Sequence, residues 1–147
     1  MEKAEKYRLL ERQLAALREG ETDAIAKMAN VAAVLHAEFG FWWTGFYRVA
    51  GEELILGPFQ GPVACMHIPY GKGVCGTAWA RNASVVVPDV EAFPGHIACS
   101  AASRSEIVVP VHGADGSVTA VLDIDSAELA TFDETDRVWL EKIVTRL

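Results

Sequence analysis

EIVVPVHGADGSVTAVLDID, residues 106–125, is the stretch on which the fold turns. Two runs rich in valine and isoleucine flank Asp115-Gly116, a pair suited to a tight turn, and so predict a hairpin with strands over 106–111 and 117–125. Successive side chains in a strand point to opposite faces, which puts Ile107, Val109 and Val111 opposite Glu106 and Val108. In the second strand Ala120, Leu122 and Ile124 share one face, and Val121, Asp123 and Asp125 the other. The apolar face calls for a covering layer. The other face gathers three carboxyl groups; strand carboxylates usually mean a solvated surface, but Val108 and Val121 between these acids give the mixed composition of a pocket wall.

Upstream, FWWTGFYRV (41–49), a turn at Ala50-Gly51-Glu52 and ELILGPF (53–59) predict a second hairpin. Its first strand sets Trp42, Thr44 and Phe46 against Trp43, Gly45 and Tyr47, so one face can pack on helices while the other offers rings to a pocket; aromatic stripes are more often simply core. Tyr7, Leu10, Leu14 and Leu17 recur at helical spacing over residues 3–18, with Gly20 as the stop. Thr22 is the expected cap of a second helix carrying Ile25, Met28, Ala29, Ala32, Leu35 and Phe39 on one face, with Gly40 just past its end. His36 in that helix reads as a surface or boundary residue. A last helix, capped near Thr131 or Asp133, carries Phe132, Val138, Trp139, Ile143, Val144 and Leu147. The expected class is α+β: an antiparallel sheet with N- and C-terminal helices on one face, in a single domain over residues 1–147.

CMHIPYGKGVCGTAWARNASVVVPDVEAFPGHIAC, residues 65–99, holds all three cysteines. Short apolar runs at 66–69 and 84–88 separated by glycine and proline place them on loops over the sheet's other face. Gly71, Gly73 and Gly76 lack phosphate-loop spacing and read as a turn into a short helix, whose backbone N–H groups could hold a carboxylate; Trp79 reads as a packing residue. The net charge of −7, with no basic patch, argues against nucleic acid as partner. The charged opening MEKAEKYRLLERQ and the lack of a membrane-length apolar run lead us to expect a cytoplasmic protein that makes no membrane contact. In that compartment the cysteines are unrelated buried thiols, metal ligands or a redox set. Zinc with His67 or His96 as fourth ligand is disfavoured, because spacings of ten and twenty-four residues contain no C-x-x-C pair. In a redox cycle a thiolate becomes a sulfenic acid, a second cysteine closes a disulfide, and an external dithiol reopens it.

GPFQGPVACMHIPYGKGVCGTAWARNASVVVPDVEAFPGHIACSAASRSEIVVPV (57–111), with FWWTGFY (41–47) and VLDIDS (121–126), resembles the free methionine-(R)-sulfoxide reductase family, small enzymes on the GAF fold. The resemblance runs from about Trp42 to the last helix with the three cysteines in register. It implies a GAF-like domain that reduces free L-methionine-(R)-sulfoxide with a thioredoxin-type dithiol, without cofactor or metal. It further implies Cys99 as nucleophile, Cys65 as first choice and Cys75 as second choice of resolving cysteine, and Glu106, Asp123 and Asp125 as acids for proton delivery and for the substrate ammonium group. Trp43 and Tyr47 match the aromatic positions that enclose the substrate. A homodimer is left open. The fold alone also allows a small-ligand-binding module or a redox sensor without turnover.

Overall fold

The computed structural model describes residues 1–97, 99, 102–145 and 147. Among these, α1 (Lys3–Arg18) and α2 (Ala24–Phe39) precede β1 (Trp43–Ala50), β2 (Glu53–Gln60) and β3 (His67–Pro69). Then come α3 (Gly73–Arg81), β4 (Val85–Val87), β5 (Ser105–His112), β6 (Val118–Ser126) and α4 (Glu134–Val144). The six strands form one sheet in the order β3-β2-β1-β6-β5-β4, every neighbouring pair antiparallel. No helix among the described residues is long and apolar enough to cross a membrane.

Both hairpins form where the alternation and the turn residues predict them. Helices α1, α2 and α4 cover one face of the sheet, where Leu14, Leu35 and Ile143 pack with Phe46, Ile107, Leu122 and Ile124. Each such side chain stabilises the fold by about 1.5–3 kcal/mol on burial. The opposite face carries Trp43, Tyr47, Val108 and Val121 against α3 and the connections around it. Cys75 differs from the loop position expected of the cysteines: it lies in the first turn of α3, buried.

Helix ends and stripes depart from expectation in small ways. Asp23, not Thr22, caps α2, its side chain accepting from the Ala26 N–H at 2.9 Å. Leu17 is 48% exposed while Arg18 is buried: at about 100° per residue the two fall on opposite edges of the Tyr7–Leu10–Leu14 stripe, and the buried edge is the one that Arg18 shares with Glu11. Arg18 donates to the Ile143 carbonyl at 2.8 Å and pairs with Glu11 at 3.2 Å. Ile25, Ala29 and Val138 are exposed for the same angular reason, and Val31 and Leu140 take the core positions. His36 sits half-buried with Nδ1 3.0 Å from Thr44 Oγ1, a boundary residue as expected.

One buried polar cluster ties the termini together. Asp136 accepts from Tyr7 Oη at 2.6 Å and from Lys3 Nζ at 2.7 Å, and completes a capping box with Asp133 at the start of α4. Asp136→Ala leaves the Tyr7 hydroxyl buried without its acceptor and removes half the box. We expect a loss of about 3 kcal/mol, read as a lowered urea midpoint at unchanged slope. A midpoint within experimental error of wild type would show that the cluster contributes nothing net.

Candidate active site

Strand register builds the site. Glu106 on β5 lies directly opposite Asp125 on β6, and Asp125 opposite Trp43 on β1. One row along, Val108, Asp123 and Gly45 face one another across the same strands. The acids expected to share a face therefore meet in a patch of two adjacent rows. Gly45 is required here: a Cβ would come within 2.7 Å of the Trp43 ring and 2.3 Å of Phe59 Cβ. Its absence lets Trp43 lie across the row, stacked on Phe59 at 5.2 Å and on Tyr47 at 5.8 Å.

This patch is not a solvated face. Glu106 and Asp123 are 5% and 6% exposed, and with Asp125 they line a cavity of about 50 Å³. At about 10–15 Å³ per water, that is room for roughly four waters. Burial, then the Asp123 and Asp125 charges, raise the Glu106 pKa well above the usual carboxylate range. Burial and the Asp123 charge do the same to Asp125, which also accepts from Ser103 Oγ at 3.2 Å. Asp123 is raised by burial but pulled back by hydrogen bonding with Glu106, Cys75 and Asp125. Glu106 and Asp125 are thus raised well above the usual carboxylate range, and Asp123 is raised against the opposing pull of its hydrogen bonds. His96 Nε2 stands 3.9 Å from Glu106 Oε1 at the rim.

These shifts carry a consequence for stability. Between the ordinary carboxylate range, about 4, and the raised values, the folded chain holds more protons than the unfolded one, so stability falls as pH rises through that window. Urea unfolding measured across pH should show this fall, and Glu106→Gln should flatten it. An equally steep fall in the variant would mean that Glu106 titrates normally.

The cavity is closed from above by the cysteine loops. Cys65 and Cys99 form a disulfide with Cα atoms 5.5 Å apart, both half-buried. The loop bearing Cys65 is tied to the aromatic wall: Trp43 Nε1 donates to the Pro62 carbonyl at 3.0 Å, and Tyr47 Oη to the Cys65 carbonyl at 2.9 Å. Cys75 lies below, its thiol pushed well up by burial and then by the Asp123 charge. The first residues of α3, Gly73, Val74 and Cys75, line the cavity, so the glycine turn does lead into a helix whose N-terminus faces it. Trp79 packs edge-on against Tyr70 at 4.7 Å, away from the site. His67 is also elsewhere, paired with Glu53 on the surface.

Thus Cys65, Cys75, Cys99, Glu106, Asp123, Asp125, Trp43 and Tyr47 converge on one cavity. Sequence reasoning missed Ser103 and the cavity-lining places of Val63 and Ile97, which lie in irregular segments without periodicity. His96 had been weighed there only as a metal ligand. Gly45 carried a legible signal, a glycine inside a strand, which marks close approach by another group.

Known proteins are similar to this chain over nearly its whole length. Residues 19–147 match the GAF domain family. The chain is 51% identical over 146 residues to "GAF domain-containing protein A" of Dictyostelium discoideum, covering 99% of this chain and 92% of that one. It is 46% identical over 148 residues to "Free methionine-R-sulfoxide reductase" of Escherichia coli, covering 100% and 89%. A solved structure of free methionine-R-sulfoxide reductase from Neisseria meningitidis in complex with its substrate superposes with a TM-score of 0.97 at 52% identity, covering 99% of this chain and 88% of that one. With the fold, the disulfide over the buried acids and near-full-length identity in agreement, the chain belongs to the free methionine-R-sulfoxide reductase family of GAF domains.

Proposed function

We propose that the protein reduces free L-methionine-(R)-sulfoxide to L-methionine, with Cys99 as nucleophile and a thioredoxin-type dithiol as reductant. The observation that carries this reading is the meeting of the Cys65–Cys99 disulfide with buried carboxyl groups and an aromatic wall at one cavity. The names of the Escherichia coli and Neisseria meningitidis relatives support it.

In the reduced enzyme the Cys99 sulfur attacks the sulfoxide sulfur while Glu106, held protonated by burial, gives its proton to the sulfoxide oxygen. The oxygen passes to Cys99 as a sulfenic acid, and methionine leaves with the electron pair. Cys65 then attacks the sulfenic sulfur, releasing water and closing the disulfide. Reduction by an external dithiol restores both thiols, so each cycle converts sulfoxide and dithiol to methionine, disulfide and water. The exposed side of the disulfide suits that last exchange. Cys75 is the weaker resolving thiol, because burial keeps it protonated and the thiolate is the nucleophile.

Asp123, whose hydrogen bonds oppose the rise that burial causes, receives the substrate ammonium group, with Asp125 beside it. Trp43 and Tyr47 enclose the methyl group, and the N-terminus of α3 takes the substrate carboxylate. The disulfide form is the one left after turnover, and reduction restores the thiol form that meets the next substrate.

The test is consumption of free L-methionine-(R)-sulfoxide by the pure protein with and without dithiol. Many turnovers with dithiol and about one without are expected. Consumption stopping at one equivalent despite dithiol would leave a redox switch, and no consumption at all would leave a binding module.

A further inference from the structure

Beneath the disulfide, three donors from three elements converge. Cys75 Sγ on α3 and one carboxylate oxygen each from Glu106 on β5 and Asp123 on β6 lie within 4.8 Å of one another, and all three residues are buried. Independently, Asp123 is 6% exposed, lines the cavity, and its Oδ1 has no hydrogen-bond partner among the described residues. A buried carboxylate oxygen left unpartnered is costly, and a bound cation would satisfy it. No lysine or arginine is among the described residues lining the cavity.

We propose that Cys75, Glu106 and Asp123 form a binding site for one divalent cation of the zinc class. A thiolate with two carboxylates is a mixed soft and hard donor set, which suits zinc, cobalt or cadmium and not magnesium or calcium, whose sites are built from oxygen. Zinc bonds of about 2.3 Å to sulfur and about 2.0–2.2 Å to oxygen bring tetrahedral donors to about 3.3–3.6 Å from one another. The three atoms here need to close in by up to about 1.2–1.5 Å to reach that spacing. Asp125 lines the same cavity as the three donors. Binding changes no oxidation state: the cation displaces the Cys75 thiol proton, and the proton held by Glu106, to solvent. Three anionic donors against a charge of two leave the occupied site with a single net negative charge. The ion fills the place a cationic ligand would take, so the filled site is closed to other ligands.

The oxidised full-length chain is the form to test, since Cys65 and Cys99 are tied to each other and the sulfur ligand can come from Cys75 alone. Metal-free oxidised protein is titrated with Co²⁺ and with Cd²⁺. One equivalent per chain is expected, with a sulfur-to-metal charge-transfer band and release of at least one proton per ion in weakly buffered solution. Cys75→Ser should lose the band. Asp123→Asn should keep it but weaken binding by more than the tenfold to hundredfold that follows loss of an outer-sphere partner. Near-ultraviolet circular dichroism checks that each variant is folded. Should neither variant fold, the unaltered protein decides alone: no charge-transfer band at one equivalent overturns the site. A band of full intensity in folded Cys75→Ser overturns it equally.

Discussion

Cys99→Ser is expected to abolish methionine formation even in a single turnover, a loss of more than about 10³-fold. A serine hydroxyl is far less ionised than a thiol and forms no sulfenic acid, so the first step has no route around it. Cys65→Ser behaves differently, because attack and sulfenic acid formation precede disulfide closure. It should release about one methionine per chain and then stall with a thioredoxin-type reductant, which attacks a disulfide. Cys75→Ser should stay near wild type if this buried thiol only packs, and fall between the two if it relays the disulfide. Mass spectrometry after one turnover without reductant should find the Cys65–Cys99 bond in the wild type. A full burst from Cys99→Ser would show that the nucleophile is another cysteine, and Cys75 would be the next to examine.

The second large effect concerns the acids. Glu106→Gln keeps the shape and hydrogen-bonding size of the side chain but cannot give up a proton, so kcat should fall by about 10²–10⁴-fold with folding retained. Asp123→Asn removes the charge that faces the substrate ammonium group and should act mainly by raising KM. The chemical step in the wild type should also weaken as pH rises through the raised pKa of Glu106, since the protonated acid is the active form. The same cluster predicts selectivity. An N-acetylated, amidated sulfoxide cannot satisfy a buried carboxylate and should react at least about 100-fold more slowly than the free amino acid. Wild-type kinetics in both amides, or equal rates on free and blocked substrate, would remove these carboxylates from the mechanism.

Sequence by itself determined the two hairpins, the helices that cover one face, and the side of the sheet on which the acids lie. These follow from period and turn chemistry, which are local: Ile107, Val109, Leu122 and Ile124 could face nothing but a core once the strands alternated. The resemblance further brought the cysteines and acids together as one site. What local pattern could not decide was whether Glu106, Asp123 and Asp125 were solvated or buried, because strand carboxylates read alike in both cases. Only the register of β1, β5 and β6, with the 62–65 segment hydrogen-bonded to Trp43 and Tyr47 and the disulfide drawn across, takes water away from them. Burial then raises all three acids, with hydrogen bonds opposing the rise at Asp123, and Cys75 is sunk into the same cluster instead of lying on a loop. Desolvation is a property of the whole enclosure, so the different environments of three chemically similar acids were decided by tertiary structure alone.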